Sequence, residues 1–326
     1  MKTEIVNFEK EAMAQKTNNA KKQERALKNQ VKKILVDNGL NFRIEKVPMV
    51  GLFGKAKKQK SIRTTYFGLL NTQSMEIINT TKASYHVSQN DDVVELVLRG
   101  MNGFGELNVS KAGCLNGGRK TFIQLAIDGF SKVGNDSIKK YITIIDSNDG
   151  STGLGVGISD MVMSCSNQFF RFYKRGEMKL KHSASLEGKM VELPSLIRLA
   201  LNESMKQIEI YNKFHSTACT QNLVDGLVRE LLGVDRLTAK VGVDSGKTLN
   251  AMDTLYSHIK KEMNQKGNTI FGLHNGVTSW TNHAKSHPKR ENGQLESLSV
   301  GTNYRTNMQS FNFALEVTGQ NDYVLR

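Results

Sequence analysis

An α+β protein, with a β-hairpin-rich antiparallel sheet followed by a C-terminal helical region, is the fold class that this sequence predicts. Two observations carry the expectation. Strand-like runs up to about residue 190 are punctuated by Asn-Gly and Asp-Gly turns. From Leu193 onward the apolar residues recur at a period of about 3.6 instead of 2. Strands first and helices afterwards is an α+β order, not the alternation of a parallel α/β sheet.

Taken in order, residues 18–38 predict an amphipathic helix, with Asn18 or Asn19 as its cap and Gly39 just past its end. Leu27, Val31, Ile34 and Leu35 form its apolar stripe, and Lys21, Lys22, Arg25, Lys28, Lys32 and Lys33 lie mainly off it. Phe42, Ile44 and Val47 begin a strand that Pro48 and the stretch GLFGKAKKQKS interrupt. Tyr66–Leu70, Met75–Ile78 and Tyr85–Val87 continue the strand set, and Asp91 or Asp92 caps a short helix, VVELVLRGM. Two hairpins follow, one turning at Asn116-Gly117-Gly118 and one at Asn148-Asp149-Gly150-Ser151. Pro194 opens a long helix, and residues 222–232, 249–265, 275–286 and 303–316 predict four more. The expected organisation is a basic N-terminal helix over 1–40, a β-rich region over 41–190 and a helical region over 191–326, with 41–326 as one compact unit.

Charge is the first clue to function. The chain carries a net +14, and residues 1–63 hold 16 Lys and Arg against 6 Asp and Glu. Such a clustered positive field attracts a polyanion over about 8–10 Å at physiological salt. The loop from Gly54 to Lys60 adds Lys55, Lys57, Lys58 and Lys60 between two strands. Arg119 and Lys120 leave the first hairpin turn together and point to opposite faces, so one of them would face a groove. Tyr66, Phe67 and Tyr85 are candidates for base stacking, with core packing as the competing role. Cys114, Cys165 and Cys219 are odd in number and far apart, so no disulfide framework is expected and a reducing cytoplasm fits. No apolar run approaches the roughly 20 residues that span a bilayer, and the first residues lack the apolar core of a secretory signal.

Catalytic motifs are weaker. Gly242 and Gly246-Lys247-Thr248 approximate a phosphate loop, but one spacer is missing and no strand precedes it, so no nucleotide is expected. Gly153-Leu-Gly-Val-Gly157 leads into a strand and fails as a dinucleotide loop, and Asp146 to Gly150 has its glycine one place early for a calcium loop. His283 and His287 stand four apart with no carboxylate beside them and a proline following, so no metal or other cofactor is expected. Asp149, Asp160 and His182 are the candidates for a metal-dependent phosphodiester chemistry, with Asp146 near the same hairpin.

Several stretches are similar to the phage/plasmid-like protein family, domain-of-unknown-function family 932. They are Tyr85-His-Val-Ser-Gln89-Asn90, Gly113 with Leu115 to Lys120, Ser147 to Ser151, Val162 to Asn167, Lys181-His182-Ser183, and Phe271 to Thr278 with His283. They run in the family's order over roughly residues 60–315. Asn148 stands where the family pattern has His, and Gln168 where it has Thr, so a catalytic role for that His would be absent here. The resemblance implies a mobile-element protein in a bacterial host cytoplasm and carries no mechanism. Together with the charge it leads to the expectation of a DNA-binding protein, single strands favoured, active in binding or annealing as a homo-oligomer. The alternatives are a metal-dependent nucleic-acid enzyme and an anti-defence protein that binds a host factor.

Overall fold

The computed structural model describes residues 2–55, 59–101, 107–151, 153–172, 179–180, 192–234 and 245–323. Lys57, Lys58, His182 and residues 242–244 at the start of the 242–248 stretch lie outside the described residues. The chain divides into two compact units, Met1–Gly105 with His182–Pro194, and Glu106–Lys181 with Ser195–Arg326. This division groups the basic helix with the first strands, whereas element order alone separates them near residue 40.

In the first unit, α1 (Lys2–Asp37) is longer than the expected helix, so Asn18 and Asn19 are interior positions instead of caps. Gly39 follows it at φ 63°, the left-handed geometry that glycine adopts without Cβ strain. Strands β1 (Ile44–Phe53), β2 (Lys60–Asn71) and β3 (Glu76–Lys82) form a three-stranded antiparallel sheet in sequence order. Pro48 does not interrupt β1. The strand is an edge strand, and a bulge between Pro48 and Val50 accommodates the missing donor. Tyr85–Val87 is not a strand. That segment leads into α2 (Asn90–Met101), which has Asp91 and Asp92 in its first turn and Arg99 in its last. Gln89 substitutes for strand pairing: its carboxamide accepts from the Ile44 amide at 3.1 Å and donates to the Ile44 carbonyl at 2.9 Å. Asn90 donates to the Leu40 carbonyl at 3.0 Å. These two polar side chains fix the entry of β1 by pairing with the backbone of Leu40 and Ile44.

In the second unit, β4 (Leu107–Leu115), β5 (Lys120–Ile127), β7 (Asp136–Ser147) and β8 (Leu154–Val162) pair antiparallel in the order β8-β7-β5-β4. The short β6 (Ser131–Val133) pairs with β7, while β9 (Asn167–Phe172) and β10 (Lys179–Leu180) both pair with β8. The first expected hairpin turns through Asn116, Gly117 and Gly118, all at positive φ (53°, 64° and 84°), and the Arg119 amide donates to the Asn116 carbonyl, which makes Gly117 and Gly118 the two central residues of a type I′ turn. Helices α3 (Leu193–Ser216), α4 (Gln221–Leu232), α5 (Ser245–Lys266), α6 (Ile270–His283), α7 (Gly293–Ser299) and α8 (Thr302–Val317) follow. Thus antiparallel sheets precede a helical region, as the period change predicts.

One sheet face packs Ile138, Val162 and Phe169 against Tyr211, Phe214, Phe271 and Phe311 of the helices. Full burial of each such side chain contributes about 1.5–3 kcal/mol. α6 is buried along its whole length because α5 approaches closely: a Cβ on Gly276 would lie 2.4 Å from the Ile259 Cα. On the opposite face, Leu115, Phe122, Ile145 and Phe170 pack against Leu295 and Leu298 of α7.

Candidate nucleic-acid interface

The basic residues of α1 sort by face. Val31 is buried, Leu27, Ile34 and Leu35 are half-buried, and Lys21, Lys22, Arg25, Lys28, Lys32 and Lys33 are all exposed. The helix docks through the apolar stripe and leaves its cations to solvent. Glu24 is the one acid between residues 18 and 36, and Arg99 of α2 donates to both of its oxygens at 2.8 and 2.9 Å. That contact holds the Glu24 carboxyl below the usual carboxylate range and sets its charge against Arg99 instead of the helix lysines.

The β1–β2 hairpin extends the basic surface. Lys55 and Lys60 are exposed, and so is Arg63, which sequence reasoning did not single out. The register places Phe53 opposite Lys60, Gly51 opposite Ile62 and Val50 opposite Arg63. Phe53 is 71% exposed and Tyr66 is 49% exposed, although buried aromatics are the rule. Lys60 and Ile62 share one face of β2, and the irregularity that sets Thr64, Thr65 and Tyr66 against the single β1 residue Met49 interrupts the alternation before Tyr66. Of the stacking candidates, Tyr66 is exposed, whereas Phe67 and Tyr85 are half-buried.

In the second unit the two residues after the first turn separate as their alternation requires. Arg119 is exposed, and Lys120 is buried and ion-paired with Asp149. Asp149 also accepts from the Ser147 hydroxyl at 2.6 Å and the Ser151 amide at 2.9 Å. Burial opposes ionisation of Asp149, but the bonds from Lys120, Ser147 and Ser151 win and hold its carboxyl far below the usual range. Lys120 thus staples the two turns of the sheet together, and only Arg119 is free to meet a phosphate.

Asp160 has a different environment. It is buried on β8 opposite Lys140, seven residues along β7 from Ser147, which is about 23 Å of strand. Asp149 and Asp160 are therefore not neighbours, and no cluster of three metal-ligating side chains occurs among the described residues. Asp160 lines a small internal cavity with Asn167, Tyr211, His274 and Asn275, and accepts from the Tyr211 hydroxyl at 3.3 Å. Burial pushes its carboxyl up to about 7, against the lowering effects of Tyr211, Lys140 and Arg171. The folded state thus holds a proton that the unfolded chain releases near pH 4. Stability from this group is complete below that value and is lost as pH rises through about 7. We expect the melting temperature of the wild type to fall relative to Asp160→Asn between pH 5 and 8. Parallel pH profiles for the two proteins would contradict this.

A polar cleft of about 740 Å³ lies on the sheet face that carries α7. Its floor crosses the strands: Lys111 pairs with Gln124 on the neighbouring strand, Tyr141 lies two residues before the Thr143 that pairs with Gln124, and Met161 pairs with Gln168. Its rim is formed by Ser166, His283, Arg290 and Asn292. Beneath the floor, Gln124 donates to Thr143 at 3.4 Å and to Ser159 at 3.1 Å. At the rim, Asn167 donates to Glu262 and to the Asn275 carbonyl, each at 3.3 Å, so its oxygen is the atom facing His283 at 3.0 Å. The same ring nitrogen, Nε2, lies 3.2 Å from the Cys165 carbonyl. With acceptors on both sides, Nε2 of His283 carries the proton, and Nδ1 keeps a lone pair in the neutral ring. The spacing of His283 and His287 on one helix does not persist, because α6 ends at His283.

The family described as Domain of unknown function (DUF932) matches residues 77–308. The chain belongs to this family. No curated protein and no solved structure matches it. Within the DUF932 match, stretches far apart in sequence meet in space: Val162–Asn167 joins Phe271–His283 through the Asn167 contacts, and the 115–120 and 147–151 turns join through Lys120 and Asp149. Among the described residues no helix is long and apolar enough to cross a membrane.

Proposed function

We propose that this DUF932 protein binds DNA, with single strands favoured, through the basic face of its first unit, and that it serves a mobile element in replication or recombination as a homo-oligomer. The observation that carries the reading is the two-sided α1, with its apolar stripe turned inward and six exposed cations outward. The hairpin adds Lys55, Lys60 and Arg63 beside exposed Phe53 and Tyr66, and aromatic groups next to cations suit unpaired bases better than a closed duplex. No nucleotide or metal is part of the proposal. The metal-dependent reading has less support, since Asp149 is committed to Lys120 and Asp160 is buried about 23 Å of strand away.

A titration of oligothymidylate and of duplex DNA over several salt concentrations tests this. If the six α1 cations each meet a phosphate, log K should fall with log salt at a slope of about −4 on single strands. Binding should persist in chelator. A flat slope, or no binding at low salt, would refute the proposal.

A further inference from the structure

The polar cleft is lined by residues of the second unit, and its chemistry selects a ligand. Among the described residues its lining contains Lys111, Arg290 and His283 and no Asp or Glu. Arg290 forks onto Glu296 through Nε and Nη2 at 2.9 and 2.6 Å, which leaves Nη1 for another acceptor. Gln168 has a buried side-chain nitrogen with no hydrogen-bond partner, and such a group costs about 1–3 kcal/mol unless something accepts from it. His283 contributes the opposite function, a ring nitrogen with a lone pair. Tyr141 and Met161 supply an apolar, polarisable patch on the floor between these polar groups.

The backbone around the cleft is unusual in two ways. Among the described residues four non-glycine positions have positive φ, and two of them, Ser166 at 55° and Asn292 at 54°, line this cleft. Strain of this kind, of order 1–3 kcal/mol per residue, concentrates where a site must be held in shape. In addition, a bulge between Val109 and Lys111 brings consecutive residues Ser110 and Lys111 to the same opening, where regular alternation would send them to opposite faces. Gly293 completes the rim at a position where a Cβ would lie 2.0 Å from the Pro288 carbonyl oxygen.

We propose that this cleft is a nucleotide-binding groove of the protein, taking one or a few nucleotides of a single strand. Lys111 and Arg290 meet the phosphate, Tyr141 and Met161 meet the base face, and Gln168 with His283 supplies a donor and an acceptor for the base edge. The volume falls within the 300–1,000 Å³ of small-ligand sites, and the floor crosses strands from β4 to β9, about 19 Å at the normal strand spacing. The inference rests on the DNA-binding reading and deepens it by placing a second contact surface in the second unit.

The test uses the full chain, an oligothymidylate carrying photoreactive 5-iododeoxyuridine, and free thymidine monophosphate. Cross-linking to the Tyr141 or Met161 peptide is expected. Lys111→Gln should make the salt slope shallower by about 0.7. Gln168→Leu should weaken oligothymidylate binding about tenfold, and His283→Gln, which keeps a donor toward Asn167, should weaken it as well. Unchanged melting temperatures would separate these effects from misfolding. Measurable binding of thymidine monophosphate alone, lost in Gln168→Leu, would assign the site to a free nucleotide and overturn the strand assignment. Wild-type DNA binding with unchanged affinity in all three variants, and cross-links confined to residues 2–101, would overturn the groove alone. Failure of the wild type to bind any DNA would overturn the groove together with the function proposed above.

Discussion

Replacing Lys21, Lys22, Arg25, Lys28, Lys32 and Lys33 with glutamine should remove most of the salt-dependent DNA affinity while leaving the fold intact. The six positions are exposed on a helix that docks through other residues, so each substitution should change stability by no more than about 0.5 kcal/mol. Glutamine also has nearly the helix propensity of lysine and arginine. If each cation neutralises one phosphate, the slope on single strands should lose about 4 units. A fourfold rise in salt, from 50 to 200 mM, would then weaken the wild type by about 300-fold more than the variant. Equilibrium titrations by fluorescence anisotropy, with circular dichroism as the control for folding, measure both quantities. A folded variant with wild-type slope would move the interface away from α1 and make the hairpin lysines, Arg63 and Arg119 the next exposed cations to replace.

The α+β order was legible because two local signals are strong. The Asn116-Gly117-Gly118 turn demands left-handed backbone at Gly117 and Gly118, and the structure places both there. The long helices carry enough turns for their period to register: α4, α5 and α8 fall within four residues of their expected limits, and α3 begins one residue before Pro194. α6 begins five residues earlier than expected because Thr269 caps it, its hydroxyl accepting from the Gly272 amide at 3.2 Å. The Phe-Gly-Leu-His run that follows is buried all round, and a helix without a polar face has no amphipathic period to detect. β6, β9 and α7 are short, and their formation depends on neighbours that a local pattern does not contain.

The candidate site was legible only where charge is local. The face of α1 follows from spacing, so its six cations could be named in advance. Arg119 and Lys120 could be assigned to opposite faces, but which one would be buried depended on Asp149, twenty-nine residues away from Lys120. The cleft had no local signature at all. Lys111, Tyr141, Gln168 and Asn292 come from separate strands and a loop, and the bulge that turns Ser110 and Lys111 together is a property of pairing with β5. Family resemblance marked several neighbours of the cleft, such as Asn167 and His283, without indicating that they hydrogen-bond to each other.

The second large effect is expected at Lys266, whose side chain is 2% exposed. Its ammonium donates to Asp136 at 2.9 Å and to the Ser164 hydroxyl at 3.0 Å, and lies 3.5 Å from Glu262, whose side chain is 1% exposed. Glu262 in turn accepts from Asn167, which orients His283 at the cleft rim. Lys266→Met would leave the Glu262 charge buried without the cation 3.5 Å from it, and breaking a buried pair from one side costs about 3–5 kcal/mol. For a unit of this size that corresponds to a fall in melting temperature of roughly 6–20 °C. The double variant Glu262→Gln, Lys266→Met removes both charges and should recover most of the loss, since a buried pair contributes little beyond its own desolvation. Thermal unfolding of the wild type, both single variants and the double variant gives the coupling energy directly. Additive losses would show that the two charges are screened from one another, and that Asn167 and His283 are held in place without them.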